Sequence, residues 1–255
     1  MGWAADGSAV GFARRGSAGM FMATSPGEHL VPGGTPVLIV CYGAKGGCGT
    51  SVVAASLALA SPGATLIDLD GDAADVLGLG PDIAATQGIA EWTRSEIGAD
   101  ALSNLTHPVG DVSLLPRGHG PIADDPARWS LLTSWLAGNG PGVVDAGTGD
   151  PPVALAQLAG ELLLVTRPCY LALVRASRNA TRPTGVVVID EPGRALTLGD
   201  VERAVGAPVV ARILLDPAVA RAVDAGLLAH AVPRRLARHL RGVVGTSSRQ
   251  AVVHQ

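Results

Sequence analysis

The chain has 255 residues and a formal net charge of -3, with 47% hydrophobic and 16% charged residues. This slightly acidic balance argues against a dedicated nucleic-acid binder, and the three cysteines lack the spacing of a disulfide framework or a zinc site. Because the longest apolar run falls far short of the ~20 residues of a spanning helix, we expect a protein of the cytoplasm.

Composition divides the chain into three segments. Residues 1–35 are rich in Gly, Ser, Ala and Pro without periodicity and are predicted to be a disordered leader, and residues 246–255 are predicted to be a flexible tail. In the segment between them, 36–245, apolar runs alternate with helical patterns. The predicted strands are 36–42, 64–70, 111–116, 141–147, 161–166, 184–190 and 208–215. The predicted helices are 51–60, 86–97, 125–138, 151–160, 168–180, 198–206, 216–226 and 232–244.

This alternation predicts an α/β domain with a single doubly wound, mostly parallel sheet and helices on both faces. Ligands of such sheets bind beyond the carboxyl ends of the strands. Functional residues are therefore expected in the loops that follow Tyr42, Asp68, Asp145, Thr166 and Asp190.

The first of these loops lies in the stretch YGAKGGCGTSVV, residues 42–53. Glycines between a strand and a helix expose backbone N–H groups that can bind phosphate, although a glycine turn without a ligand is an open alternative. The usual phosphate loop reads G-x-x-x-x-G-K-[ST], and two of its positions are altered, to Ala44 and Thr50. The only lysine among 19 basic residues, Lys45, lies inside the loop.

Three segments in order resemble one family, the ParA/MinD class of P-loop ATPases. KGGCGTS, residues 45–51, resembles its deviant Walker A motif; LIDLDGDAADVLGL, residues 66–79, its second strand and switch; and VVDAGTG, residues 143–149, its Walker B strand. Threonine at position 50, in place of the second lysine of the motif, resembles the CpaE/TadZ-like branch of this class. Members of that branch help to place and assemble Flp/tad-type pili or related secretion machines. The resemblance implies a P-loop fold, ATP and Mg²⁺ as cofactors, and a homodimer formed with ATP.

The resemblance also implies roles for individual residues. Lys45 would reach the partner's nucleotide phosphates and Asp70 would orient the attacking water, as the catalytic residues. Ser51, Asp70 and Asp145 would form the Mg²⁺ site, although Ser51 could instead be a helix N-cap and Asp70 a solvated loop acid. The residues expected to bind the nucleotide are Gly46, Gly47, Cys48, Gly49, Thr50, Ser51 and, at the base, Asp190.

Thr50 lacks the ammonium that would neutralise phosphate charge in cis, so we expect ATP binding with slow or absent hydrolysis. Three functions stay open: a positioning switch for a pilus or secretion apparatus, a non-hydrolysing scaffold, and a DNA-partition ATPase. The basic stretch 232–244 is predicted to be a final helix. This helix either packs on the sheet or makes weak contact with a membrane surface or DNA. The protein could also be recruited to the inner face of the membrane or to a cell pole.

Overall fold

The computed structural model describes residues 38–231 together with residues 239, 240 and 243. The predicted leader, 1–35, and the predicted tail, 246–255, lie outside the described residues. The strands are β1 Leu38–Gly43, β2 Thr65–Asp68, β3 His107–Val109, β4 Val112–Leu115, β5 Gly142–Thr148, β6 Glu161–Thr166, β7 Gly185–Asp190 and β8 Val209–Leu214.

Helices connect most of these strands, with one 3-10 turn at Ala99–Ala101. They are α1 Thr50–Leu59, α2 Ala73–Leu77, α3 Pro81–Ala84, α4 Ile89–Thr93, α5 Leu102–Leu105, α6 Pro126–Asn139, α7 Val153–Leu158, α8 Tyr170–Ala176, α9 Leu198–Val205, α10 Pro217–Asp224 and α11 Leu228–Ala231. None of the described helices is long and apolar enough to cross a membrane.

The strands form one eight-stranded sheet in the order β3-β4-β2-β5-β1-β6-β7-β8. Every neighbouring pair is parallel except β3 and β4, which form an antiparallel edge. The predicted fold class, a single doubly wound and mostly parallel sheet, is therefore confirmed. β1 lies at the centre between β5 and β6, so the glycine loop after β1 has a strand end on either side.

The core is divided between the two faces of the sheet. One face packs against α1, α2 and α10, with Leu57 and Leu114 fully buried; the other packs against α4 and α6, with Trp92 and Trp129 buried. Strands covered on both faces read as continuous apolar runs, which is why they were recognisable in the sequence.

The chain between β2 and β4 departs from the sequence prediction. The predicted helix 86–97 is shorter in the structure and consists of α4 alone. After α4 the chain turns back, and the Trp92 indole N–H donates to the Gly98 carbonyl at 3.2 Å. The short elements α2, α3 and β3 were not predicted, because four or five residues give too little periodicity. Only three residues of the predicted helix 232–244 are described, and of these Leu240 and Val243 are buried in the core.

Candidate functional site

The loop between β1 and α1 has the backbone of an anion-binding turn. Gly47 and Gly49 have φ angles of 76° and 90°, in the left-handed region that favours glycine. Among the described residues, the N–H groups of Gly46, Gly47 and Gly49 have no hydrogen-bond acceptor. The loop therefore presents free donors at the N-terminus of α1, where the helix dipole also favours negative charge.

The two side chains at the ends of this loop differ in direction. Lys45 is half-buried, and its Nζ donates to the carbonyl of Gly46 in the same loop at 3.3 Å. Thr50 is buried, and its Oγ1 lies 2.6 Å from the point where a Cβ on Gly43 would be. The Thr50 side chain thus faces the end of β1, which leaves its backbone as the part of the residue that can meet a phosphate.

Asp145 is the most unusual polar group of the site. Its Oδ1 accepts the Gly147 N–H at 3.1 Å, whereas Oδ2 is buried without a hydrogen-bond partner among the described residues. Burial raises the pKa of the carboxyl to about 7, and the charges of Asp68 and Asp70 add to this, while the Ser51 hydroxyl opposes it. A buried carboxylate oxygen with no donor has the chemistry of a cation ligand.

This carboxyl and Ser51 fit a Mg²⁺ site. Among the described residues no group of three or more His, Cys, Asp and Glu side chains could enclose a metal. Mg²⁺ does not need such a cage, since it retains several waters and takes one or two carboxylates together with phosphate oxygens. Ser51 and Asp145, beside the free N–H groups of the loop, would provide the protein ligands for a nucleotide-bound Mg²⁺.

Asp68 lies beside Asp145 in the parallel register of β2 and β5 and has a different task. Its carboxylate accepts three backbone N–H groups, from Asp70 at 3.0 Å, Gly71 at 2.7 Å and Ala73 at 3.0 Å. Burial still raises its pKa. Asp68 therefore fixes the loop after β2 and thereby positions Asp70.

Asp70 is exposed and lies against the end of β5. A Cβ on Gly147, whose φ is 67°, would be only 2.8 Å from the Asp70 Cβ, so glycine is required there. Burial and then the charge of Asp72 raise the pKa of Asp70, while Arg117 lowers it. The structure thus brings the three predicted metal residues, Ser51, Asp70 and Asp145, to one edge of the sheet.

The loop after β5 is tied to the far end of α8. Asp150 accepts the N–H groups of Ala180 at 3.0 Å and Thr181 at 3.1 Å, and the Tyr42 hydroxyl donates to the Thr181 carbonyl at 3.2 Å. These contacts hold the chain that follows the Walker B-like strand.

A cavity of about 480 Å³ extends from the glycine loop to the loop after β8. Its loop end is formed by Gly47, Cys48 and Gly49, and its walls include Ile189, Ile213, Leu214, Leu215 and Val219. A mostly apolar cavity beside a phosphate-binding turn suits a nucleotide base and ribose.

Asp190 does not line this cavity. Neighbouring residues of a strand point to opposite faces, and it is Ile189 that faces the cavity. The Asp190 carboxylate is instead held by Arg212 of β8, whose Nε donates to it at 2.7 Å. This geometry does not favour the predicted base-reading role of Asp190.

Two arginines at the site were not singled out from the sequence. Arg117 follows β4 and donates from Nε to the Leu69 carbonyl at 3.1 Å, beside Asp70. Arg167 directly follows β6 and lines the cavity next to Cys48. Their position after a strand end was the only available signal, and arginine is common throughout this chain.

Neither a protein-family model nor a curated protein matches the sequence. The fold, however, is similar to solved structures of ATPases. A ParA family ATPase from Chlorobium tepidum TLS has 20% identity and a TM-score of 0.64, over 84% of this chain and 98% of that chain. The septum site-determining protein MinD from Pyrococcus horikoshii OT3, complexed with Mg-ADP, has 17% identity and a TM-score of 0.63, over 83% and 98%.

A third similar structure is a variant of McdA from Cyanothece in complex with ATP, with 15% identity and a TM-score of 0.61 over 85% of this chain and 98% of that chain. Identities this low establish the fold alone. The protein therefore has the P-loop fold of the ParA and MinD ATPases.

Proposed function

We propose that the protein is an ATP-binding switch of the ParA/MinD class, which dimerises with ATP and Mg²⁺ and hydrolyses ATP slowly or not at all. The observation that carries this proposal is the buried Oδ2 of Asp145, which lies beside Ser51 and the loop N–H groups; this oxygen and those N–H groups have no hydrogen-bond partners in the part of the chain that the structure describes. A bare glycine turn would have no use for an incompletely compensated buried carboxylate, since such a group destabilises the fold.

Slow hydrolysis follows from the threonine at position 50. Thr50 carries no charge and its side chain faces Gly43, so no cation extends from this position toward a bound phosphate. Charge neutralisation and positioning account for most of the catalysis of phosphoryl transfer. Nucleotide binding does not require a cation at position 50, whereas turnover would be limited by its absence there.

The proposal of an ATP-dependent dimer is based on Lys45. Its ammonium makes a long hydrogen bond to the Gly46 carbonyl of its own loop and no other among the described residues. It lies at the position of the signature lysine that acts across the dimer in this class. We propose that it turns toward the nucleotide of a second copy when ATP is bound.

The cargo we propose is a Flp/tad-type pilus or a secretion apparatus, at the inner face of the membrane or a cell pole. This part rests on threonine at position 50, the feature shared with the pilus-assembly branch. A DNA-partition ATPase and a non-hydrolysing scaffold are the alternatives. ATP-dependent, salt-sensitive retention of DNA would favour the partition function, and gene neighbourhood discriminates further: genes for pilus ATPases favour the proposed cargo, and a gene for a centromere-binding partner favours partition.

Light scattering after size exclusion, with ATP and Mg²⁺ or with ADP, tests the switch. Wild-type protein should dimerise only with ATP, and Lys45→Ala should stay monomeric while still binding ATP. Arg178→Ala, at an exposed arginine beyond α8, is the matched control and should behave as wild type. An ATP-induced dimer that persists in Lys45→Ala would overturn the proposed role of Lys45, and absence of ATP binding to wild type would overturn the function. ATP turnover by the dimer separates a slow switch from a scaffold.

A further inference from the structure

Arg167 lies beside the glycine loop, next to the place where the proposed nucleotide would bind. It is the first residue after β6, and β6 is hydrogen-bonded to β1, so Arg167 comes alongside the glycine loop. It lines the cavity together with Gly47, Cys48 and Gly49, at the end nearest the free N–H groups. Asp216, which caps α10, and Asp224, the last residue of that helix, also line the cavity.

The guanidinium of Arg167 is incompletely satisfied. Its Nε is buried and has no hydrogen-bond partner among the described residues. The chain does pair other arginines, since Arg194, Arg203 and Arg212 each contact a carboxylate. A buried donor of a charged group without an acceptor is costly, and an anionic ligand in the cavity would remove that cost.

The influences on the pKa of Cys48 also indicate positive charge beside the glycine loop. Burial raises the pKa of its thiol, but the Arg167 backbone N–H and the charges of Lys45 and Arg167 all lower it. Two cations therefore act on the middle of the glycine loop, one from within the loop and one from the end of β6. A phosphate placed on the loop would meet both of them.

We propose that Arg167 supplies a cation in cis that binds the nucleotide, by contacting its phosphate oxygens from the loop after β6. This inference rests on the proposed nucleotide binding. A guanidinium suits the task, because its planar fork can donate two parallel hydrogen bonds to a phosphate. The nucleotide would then be bound by a cation from the strand beside the glycine loop in place of one from the helix that follows it.

Calorimetric titration with ATP, ADP and adenosine tests the assignment. Arg167→Ala should bind ATP and ADP about 10- to 100-fold more weakly, as expected for the loss of a hydrogen bond to a charged group, and should bind adenosine as wild type does. Arg167→Lys should recover part of the loss, because it retains the charge without the fork. Arg178→Ala is the matched control and should bind all three ligands normally.

Two results would overturn the inference while leaving the proposed function intact. One is unchanged ATP and ADP affinity in Arg167→Ala; the other is an equal loss for adenosine, which would assign Arg167 to the base or to the folding of the loop. If Arg167→Ala does not fold, Arg167→Gln replaces it and is read in the same way. Failure of the wild-type protein to bind any of the three ligands would refute the proposed function itself, and the inference with it.

Discussion

Replacing the buried carboxyl Asp145 by asparagine should stabilise the ligand-free protein at neutral and alkaline pH. With a pKa of about 7 in the folded state and 3.8 as the reference value, the carboxyl binds its proton more tightly when folded. The destabilisation is therefore absent below the lower of these two pKa values, grows as the pH rises between them, and is constant above the higher one. Linkage gives a destabilisation of about 2 kcal/mol at pH 5 and about 4 kcal/mol at pH 8.

Urea unfolding of wild type and Asp145→Asn at these two pH values measures the effect. The stability difference between the proteins should grow by about 2 to 3 kcal/mol from pH 5 to pH 8 in favour of the variant. Asp111→Asn, at an exposed acid between β3 and β4, is the control and should follow wild type at both values. A difference that is the same at pH 5 and pH 8 would refute the assignment of Asp145 as an incompletely compensated buried carboxyl.

The same variant should lose what the carboxyl is proposed to do. Mg²⁺ with ADP should raise the midpoint of urea unfolding for wild type, since a ligand that binds only the folded state stabilises it. Asp145→Asn should show a much smaller rise, although its ligand-free form is the more stable. Equal stabilisation of both proteins by the nucleotide would remove Asp145 from the Mg²⁺ site.

Three further predictions concern the glycine loop, the end of β5 and the edge of the cavity. Thr50→Lys should raise ATP turnover by about tenfold or more, measured by phosphate release, because it adds a cation at the start of α1; no rise would mean that another step limits hydrolysis. Gly147→Ala should cost more than the ~1–2 kcal/mol of a left-handed alanine, because its methyl group would overlap Asp70. Gly206→Ala, with φ 77° and open space, should cost only that amount in urea unfolding, and equal losses would contradict the close approach. Asp190→Ala should change stability by less than about 1 kcal/mol and leave the ATP-to-GTP affinity ratio unchanged, whereas a changed ratio would restore its base-reading role.

The sheet could be predicted because its strands are buried on both faces, so that runs such as residues 161–166 identify themselves. The glycine loop and the acids at the strand ends could be predicted for a related reason: parallel strands place their carboxyl ends at one edge, which brings Ser51 and Asp145 together. The element boundaries between β2 and β4 could not be predicted. There α4 ends at Thr93, and the chain that follows folds back so that the Trp92 indole N–H donates to the Gly98 carbonyl.

The cavity wall was also beyond the sequence. Asp190 ends its strand as a base-reading residue would, but strand parity turns its side chain away and toward Arg212. Arg167 is one arginine among many, and what distinguishes it is a buried Nε that has no partner in the described part of the chain, a property of the packed chain and not of the local sequence.

Asp150 joins the loop after β5 to the residues that follow α8. Its two hydrogen bonds to residues 180 and 181 join the site to the connection before β7. A rearrangement that shifts Asp150 has either to break both bonds or to carry that connection with it. The connection from residue 180 to β7 is thus placed to transmit the state of the site away from the strand ends, as a linkage built from one carboxylate and two peptide groups.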